Sequence, residues 1–228
     1  GLPLYEGYGM TEDNSYSHTS NARCNEPGFV GVALPGVQVR ISPDGEILIK
    51  SPARLSGYYR QPELDAVSFT EDGFFRTGDL GALRADGQLR INGRVKELFK
   101  TAKGEYVAPA PIENALNAHP MVESSMVSGV GQHAAYAMVQ LAEDLRPRVG
   151  DPQVRAQVHG ALGRLVDDVN RGRPNHEQLR MIVVAREPWS VENGCLTPTM
   201  KIRRARIEAA VAPQLERWYA DPAKVQWA

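Results

Sequence analysis

Five residues near the start of the chain, Tyr8-Gly9-Met10-Thr11-Glu12, put a flat ring, a hydroxyl and a carboxylate on one tight turn. That set suits stacking a base, touching a phosphate and holding a hard cation through oxygen. A strand end running into an ordinary turn looks the same, and matches this short arise by accident. Further along, Phe75-Arg76-Thr77-Gly78-Asp79-Leu80 sets an aspartate beside a glycine at an expected strand start. There a carboxylate could accept both hydroxyls of a ribose, and a plain turn aspartate fits equally. In Gly93-Arg94-Val95-Lys96-Glu97-Leu98-Phe99-Lys100, Arg94 can donate several hydrogen bonds to ribose or phosphate. Lys96, two positions on, suits either an exposed hinge or a solvated basic stretch. Finally, Thr197-Pro198-Thr199-Met200-Lys201-Ile202-Arg203-Arg204 forms a loop ahead of an expected last helix. A lysine on a loop carried by a rigid element can be swung toward an anionic centre, although most lysines near helix ends are only solvated.

Such groups need elements to hold them, and composition bounds what those can be. A chain of 228 residues fits two modest domains better than one, each able to bury a core. With 42% hydrophobic and 23% charged residues it has the make-up of a soluble globular chain, too apolar for wholesale disorder. A formal charge of −1 gives no ground for expecting nucleic acid or an acidic membrane surface as partner. Cys24 and Cys195 are too far apart for a metal-ligand pair and too few for a disulfide framework, which points to a reducing compartment and so to the cytoplasm. No uncharged apolar run approaches the roughly 18 residues of a membrane-spanning helix, and the first residues lack the basic-then-apolar order of a secretory signal. With neither an initiating methionine nor a leader, a segment ahead of Gly1 is expected to be missing.

Between Phe29 and Gly93 short alternating runs are broken by turn signals. Val37, Val39 and Ile41 alternate with polar neighbours, Pro43-Asp44-Gly45 turns, and Glu46–Lys50 runs back, which predicts a hairpin. A second hairpin is predicted where Gly81–Arg84 and Gln88–Ile91 flank Asp86-Gly87. Repeated hairpins imply an antiparallel sheet or small barrel in this β-rich first half, and not a helical layer. From residue 95 to 228 the pattern becomes that of a small α+β domain. A helix is predicted from Pro111 to the stop at His119-Pro120, with strands at 122–130, 135–141 and 181–185. Asp151-Pro152 caps a stripe of Val154, Val158, Leu162, Leu165, Val166 and Val169 at helical spacing. A last helix from about Arg203 carries Ile207, Val211 and Leu215, with Pro213 set to interrupt it. Trp189, Trp218 and Trp227 read as packing or surface residues, and His18 has no assignable role.

Taken in order, Tyr8–Glu12, Phe75–Gly81, the run Gly93–Leu116 and Leu196–Arg204 resemble the carboxyl-terminal half of the acyl-adenylate-forming superfamily. The stretch Lys100-Thr101-Ala102-Lys103-Gly104-Glu105-Tyr106-Val107-Ala108-Pro109 and the Thr-Pro-Thr-Met-Lys form resemble its long-chain fatty acyl-CoA synthetase branch. That resemblance implies an acid–thiol ligase that activates a fatty or other carboxylic acid with ATP and Mg2+ to an acyl adenylate, then passes the acyl group to coenzyme A. It implies that Gly7 belongs to the nucleotide-binding set, that Tyr8 stacks on adenine, and that Thr11 sits at the α-phosphate, Glu12 at magnesium, and Asp79 and Arg94 at the ribose. Lys96 matches the hinge, Lys100 and the Lys103-Gly104 pair match positions serving the thioester half-reaction, and Lys201 matches the adenylation lysine. The resemblance then makes residues 1–94 the end of a large adenylation domain, including a β-rich subdomain that is a distorted antiparallel barrel, and residues 95–228 a small mobile α+β domain. The family's phosphate-binding loop and upstream layers are lacking, so an inert chain is expected, completed by the missing amino-terminal part of the same polypeptide. The resemblance also admits peripheral association with a membrane. Two readings stand beside it: a stand-alone nucleotide- or CoA-binding or regulatory module without catalysis, and an adenylation domain that loads a carrier protein.

Overall fold

Two units make up the chain in the computed structural model, which describes residues 2–228: Gly1–Glu97 and Leu98–Ala228. The first opens with three two-residue strands, β1 (Gly7–Tyr8), β2 (His18–Thr19) and β3 (Val32–Ala33), paired antiparallel in that order. The alternating run that follows forms β4 (Gln38–Ile41) and β5 (Glu46–Lys50), in register Val39 to Ile49 and Ile41 to Ile47. A short helix, α1 (Pro62–Ser68), buries none of its residues. It leads to β6 (Phe75–Leu83) and β7 (Leu89–Arg94), which complete an antiparallel sheet of order β4-β5-β6-β7.

The register of that sheet slips twice, between Glu46 and Leu48 and between Leu80 and Gly81. Such bulges bend the strand that carries them and raise its twist, so the expected barrel takes the form of a curled half-barrel, with Val30 and Gly31 hydrogen-bonded to Leu89 at its β7 edge. Its core is thin. Only Ile47, Ile49 and Leu89 are fully buried together, while Val37, Val39, Ile41 and Ile91 are half-buried around them.

The second unit starts with a small hairpin, β8 (Phe99–Lys100) and β9 (Tyr106–Val107), followed by α2 (Pro109–Asn117), β10 (Val122–Ser128) and β11 (Ala135–Leu141). Then come α3 (Pro152–Asn170), β12 (Leu179–Val184), α4 (Arg204–Val211), α5 (Leu215–Ala220) and β13 (Val225–Trp227). The sheet runs β10-β11-β12-β13, antiparallel at its first pair and parallel at the next two. Every residue of β11 is buried, as expected of a strand covered on both faces. On one face the α3 stripe packs with Ile112 and Leu116 of α2 onto Ile182 and Val184; on the other, Met181, Val183 and Met138 meet Ile207, Val211 and Trp218.

Local chemistry explains the helix ends. The Asp151 carboxylate accepts from the Gln153 N–H at 2.7 Å, satisfying one of the donors that a helix start leaves over. Pro213 lacks an N–H to continue the ladder, and a single 3-10 turn, Ala212–Gln214, separates α4 from α5. α2 starts at Pro109, two residues ahead of the expected Pro111, because a first-turn proline gives up no helical hydrogen bond. Asp79 lies in the middle of the nine-residue β6 and not at its start. Trp218 is wholly buried, Trp189 nearly so, and Trp227 half-buried. Among the described residues no helix is long and apolar enough to cross a membrane.

Candidate functional site

The first unit organises its polar groups around Asp79. β6 and β7 set Asp79 directly across from Arg94, and Arg94 Nε lies 2.8 Å from Asp79 Oδ1. The other carboxylate oxygen accepts from the Tyr8 hydroxyl at 2.7 Å. Behind it, the Asp79 N–H donates to Thr77 Oγ1 at 3.0 Å, and that hydroxyl donates to the Ile47 carbonyl at 2.7 Å. The Asp79 side chain is 9% exposed and that of Arg94 63%, so the carboxylate is fixed while part of the guanidinium faces outward. An ion pair this exposed on one side adds little stability. Its use is to orient donors. Burial first, and the Asp79 bond second, push the Tyr8 phenol far above its ordinary value and keep it a hydrogen-bond donor.

The turn after β1 is held as tightly. A Cβ on Gly9 would sit 2.5 Å from Ser15 Cα, so only glycine fits where the chain folds back on itself. Asp13 Oδ1 accepts from the Met10 N–H at 2.9 Å, and the Ser15 N–H donates to the Met10 carbonyl at 2.8 Å. Asn14 and Ser15 consequently take positive φ values of 54° and 56°. This geometry leaves Thr11 exposed at the head of a 3-10 turn, while Glu12 is half-buried and accepts from the Tyr58 hydroxyl at 3.0 Å. Burial and that carboxylate raise the Tyr58 phenol above its ordinary value.

One cavity of about 510 Å3 gathers Met10, Glu12, Tyr58, Asp79, Arg94 and Lys96 among its walls. Lys96 is exposed, in a 3-10 turn that closes the first unit. Tyr8 reaches this cavity only through its bond to Asp79. Its ring lines a second cavity of about 560 Å3 with Gly7, Gly9, Ser15 and His18. Among the described residues no three His, Cys, Asp or Glu side chains gather as a metal site, so Glu12 offers a single carboxylate with the Thr11 hydroxyl nearby in sequence.

Two residues here escaped the sequence reading. Tyr58 holds Glu12 across a separation of 46 positions, which no local pattern encodes. His18 is 2% exposed, its Nδ1 lies 2.7 Å from Ser17 Oγ, its Nε2 has no partner among the described residues, and burial lowers its pKa to about 4. A lone histidine between two hydroxyl residues carries no such signal.

In the second unit Lys100, Lys103 and Gly104 share the β8–β9 hairpin. Gly104 turns the chain at φ 85° and its N–H donates to the Thr101 carbonyl at 2.9 Å. Lys100 and Lys103 are exposed, with Lys100 Nζ 5.5 Å from the Tyr106 ring centre. Lys201 combines a tied backbone with an exposed side chain. Its N–H donates to Thr197 Oγ1 at 3.0 Å, its carbonyl accepts from the Thr197 N–H at 2.8 Å, and Leu196 bridges Ile202 beneath. One step on, Arg204 Nη1 reaches Glu113 Oε1 and the Val127 carbonyl, both at 2.6 Å, and Glu113 also accepts from the Val127 N–H at 2.7 Å. This knot fastens the loop's exit to α2 and β10.

Residues 97–223 match the family model described as the AMP-binding enzyme C-terminal domain. The chain is 33% identical over 231 residues to the long-chain-fatty-acid–CoA ligase FadD15 of Mycobacterium bovis, covering 96% of this chain and 38% of that protein. It is 29% identical over 253 residues to the peroxisomal long chain acyl-CoA synthetase 7 of Arabidopsis thaliana, covering 97% of this chain and 36% of that one. It therefore spans well under half the length of these curated relatives. Among solved structures it is similar to the A domain of the carboxylic acid reductase of Segniliparus rugosus, in complex with AMP and a co-purified carboxylic acid. The TM-score there is 0.72 at 28% identity, over 95% of this chain and 35% of that chain.

Proposed function

We infer that this chain, which belongs to the AMP-binding enzyme C-terminal domain family, is the carboxyl-terminal part of an ATP-dependent fatty acyl-CoA ligase. In the first half-reaction a carboxylate oxygen attacks the α-phosphorus of ATP and pyrophosphate leaves. In the second the thiol of coenzyme A, losing its proton, attacks the acyl carbon and AMP leaves. The observation that carries this reading is the Tyr8–Asp79–Arg94 triplet, a fixed acceptor between two oriented donors, with Asp79 and Arg94 on the wall of a cavity. Ribose hydroxyls are donors and acceptors at once, and such a set meets both.

In this reading Asp79 and Arg94 hold the ribose, Gly7 belongs to the nucleotide-binding set, Tyr8 stacks on adenine, and Thr11 bonds the α-phosphate. Glu12 would hold magnesium; one carboxylate suffices where substrate phosphates supply further oxygens, and the ion neutralises phosphate charge. Lys201 places its ammonium between carboxylate and phosphate, offsetting their repulsion and stabilising the charge that builds in the transition state. Lys100 and the Lys103-Gly104 turn serve thioester formation. Residues 95–228 form a mobile domain with Lys96 as its hinge. The unpaired Cys24 and Cys195 fit a cytoplasmic setting.

The test is made in the full-length protein. Lys201→Ala should lower adenylate formation, read as ATP–pyrophosphate exchange, about 10²–10³-fold, the scale of removing one transition-state donor. Thioester formation from supplied acyl adenylate should stay near its original rate; equal losses in both would remove the assigned role. The 228-residue chain alone should release no pyrophosphate from ATP, magnesium and a fatty acid. Likeness to the A-PCP didomain of that carboxylic acid reductase favours a second reading, an adenylation domain that loads a carrier protein, which failure to acylate free coenzyme A would support.

A further inference from the structure

The loops that leave the parallel strands of the second unit part company. After β11 the chain passes through residues 142–151 to α3, which packs on the face bearing Ile182 and Val184. After β12, the neighbouring parallel strand, it passes through residues 185–203 to α4, which packs on the face bearing Met181 and Val183. Adjacent parallel strands whose connections diverge to opposite faces leave a crevice outside their carboxyl ends, where open α/β sheets bind ligands.

A cavity of about 320 Å3 occupies that position. Leu141, Val184 and Trp227, the last residues of β11, β12 and β13, form its floor, with Val149 and Pro188 on its sides. Three arginines line it too, beside Glu187, Gln140, Ala185 and Ala228. Arg146 is committed, to Glu123 and to the Leu141 carbonyl. Arg155 sits over the Trp227 ring, its guanidinium carbon 4.1 Å from the ring centre. An attraction to a ring is not a hydrogen bond to an oxygen acceptor, and the Arg155 guanidinium has none among the described residues. Among the described residues neither Arg155 nor Arg186 forms an ion pair with a carboxylate, and both are exposed at the rim. None of the lining residues belongs to the 197–201 loop or the β8–β9 hairpin.

We propose that this crevice is a binding site for a compact amphipathic anion, with a flat apolar body against Trp227, Val149 and Pro188 and one carboxylate or phosphate group held by Arg155 and Arg186. The volume sits at the small end of ligand sites, which excludes bulky occupants. An arginine pair of this kind accepts either head group in bidentate fashion. The site stands whether or not the adenylate-forming assignment does, because none of its residues takes part in it.

The experiment is a titration of the isotopically labelled 228-residue chain with 2-naphthoate, 1-naphthyl phosphate and the uncharged 2-naphthamide, followed by amide and indole chemical shifts. Saturable shifts should appear at Val149, Ala185, Arg186 and the Trp227 indole with at least one of the two anions, and the head group preferred identifies the anion source. The amide should bind at least about tenfold more weakly, as should the preferred anion to Arg155→Gln/Arg186→Gln, whose dispersed spectrum shows that it is folded. No saturable shift at those positions with either anion, equal binding of the amide, or unchanged affinity in the double variant would overturn the proposal.

Discussion

The two units hold their key groups by opposite means. In the first, the side chains themselves are fixed: Asp79 is gripped by Tyr8 and Arg94, and Glu12 by Tyr58, over a core with only three fully buried hydrophobic residues in its cluster. In the second, the fold is fixed and the side chain is free: Lys201 projects from a backbone tied at both ends, above a sheet packed on both faces. A group that must hold a nucleotide in one pose gains from the first arrangement. A cation required for one charge-building step gains from the second, because a long exposed side chain adapts while its root stays put.

That contrast can be broken at several points. The largest effect on stability should come from Glu113→Ala, which takes one carboxylate from Arg204 and the acceptor from the Val127 N–H. Because Arg204 is 21% exposed, the loss should be about 2–3 kcal/mol, below that of a fully buried pair, and visible in urea unfolding of the second unit alone. Asp79→Ala in the full-length protein should raise the Michaelis constant for ATP about tenfold, near 1.4 kcal/mol of binding, with kcat less affected. An unchanged constant would reduce the triplet to a packing feature.

A gentler probe is pH. The His18 pKa falls from 6.5 free to about 4 folded because burial disfavours its charge, so between those values the unfolded state binds the extra proton. Stability of the first unit is therefore full above about pH 6.5 and declines as pH falls toward 4. The urea midpoint of that unit should follow this slope, and His18→Gln should flatten it. The smallest effect expected is that of Thr197→Val, which removes the acceptor of the Lys201 N–H. It should cost about 1 kcal/mol and a few-fold in adenylation, leaving the first unit untouched.

Much of this was legible beforehand where period and punctuation agree. The β4–β5 hairpin, β11, the capped α3 and the break at Pro213 all follow from alternation, helical stripes and proline. α1 stayed hidden because it buries no residue and so carries no stripe, and β13 because three residues are too few for a period. The same limit applies at the site. Asp79 and Arg94 were recognisable as donors and acceptors of the right kind, but their pairing arises from strand register, and the Tyr58 bond to Glu12 from tertiary folding. Arg155 and Trp227, 72 positions apart, illustrate how chemistry assembled across crossovers leaves no trace in local spacing.

The bridge between Leu196 and Ile202, with Arg204 pinned just beyond it, makes the lysine-bearing segment a rigid mount. In the proposed reading, whatever displaces the β10–β13 sheet carries the ammonium along with no local melting, and the pace of its arrival belongs to the joint at the root of the unit. On that same proposal, substitutions that alter the timing map to that joint or to the Glu113 strut, and those within the five-residue tip change how strongly the cation acts but not when.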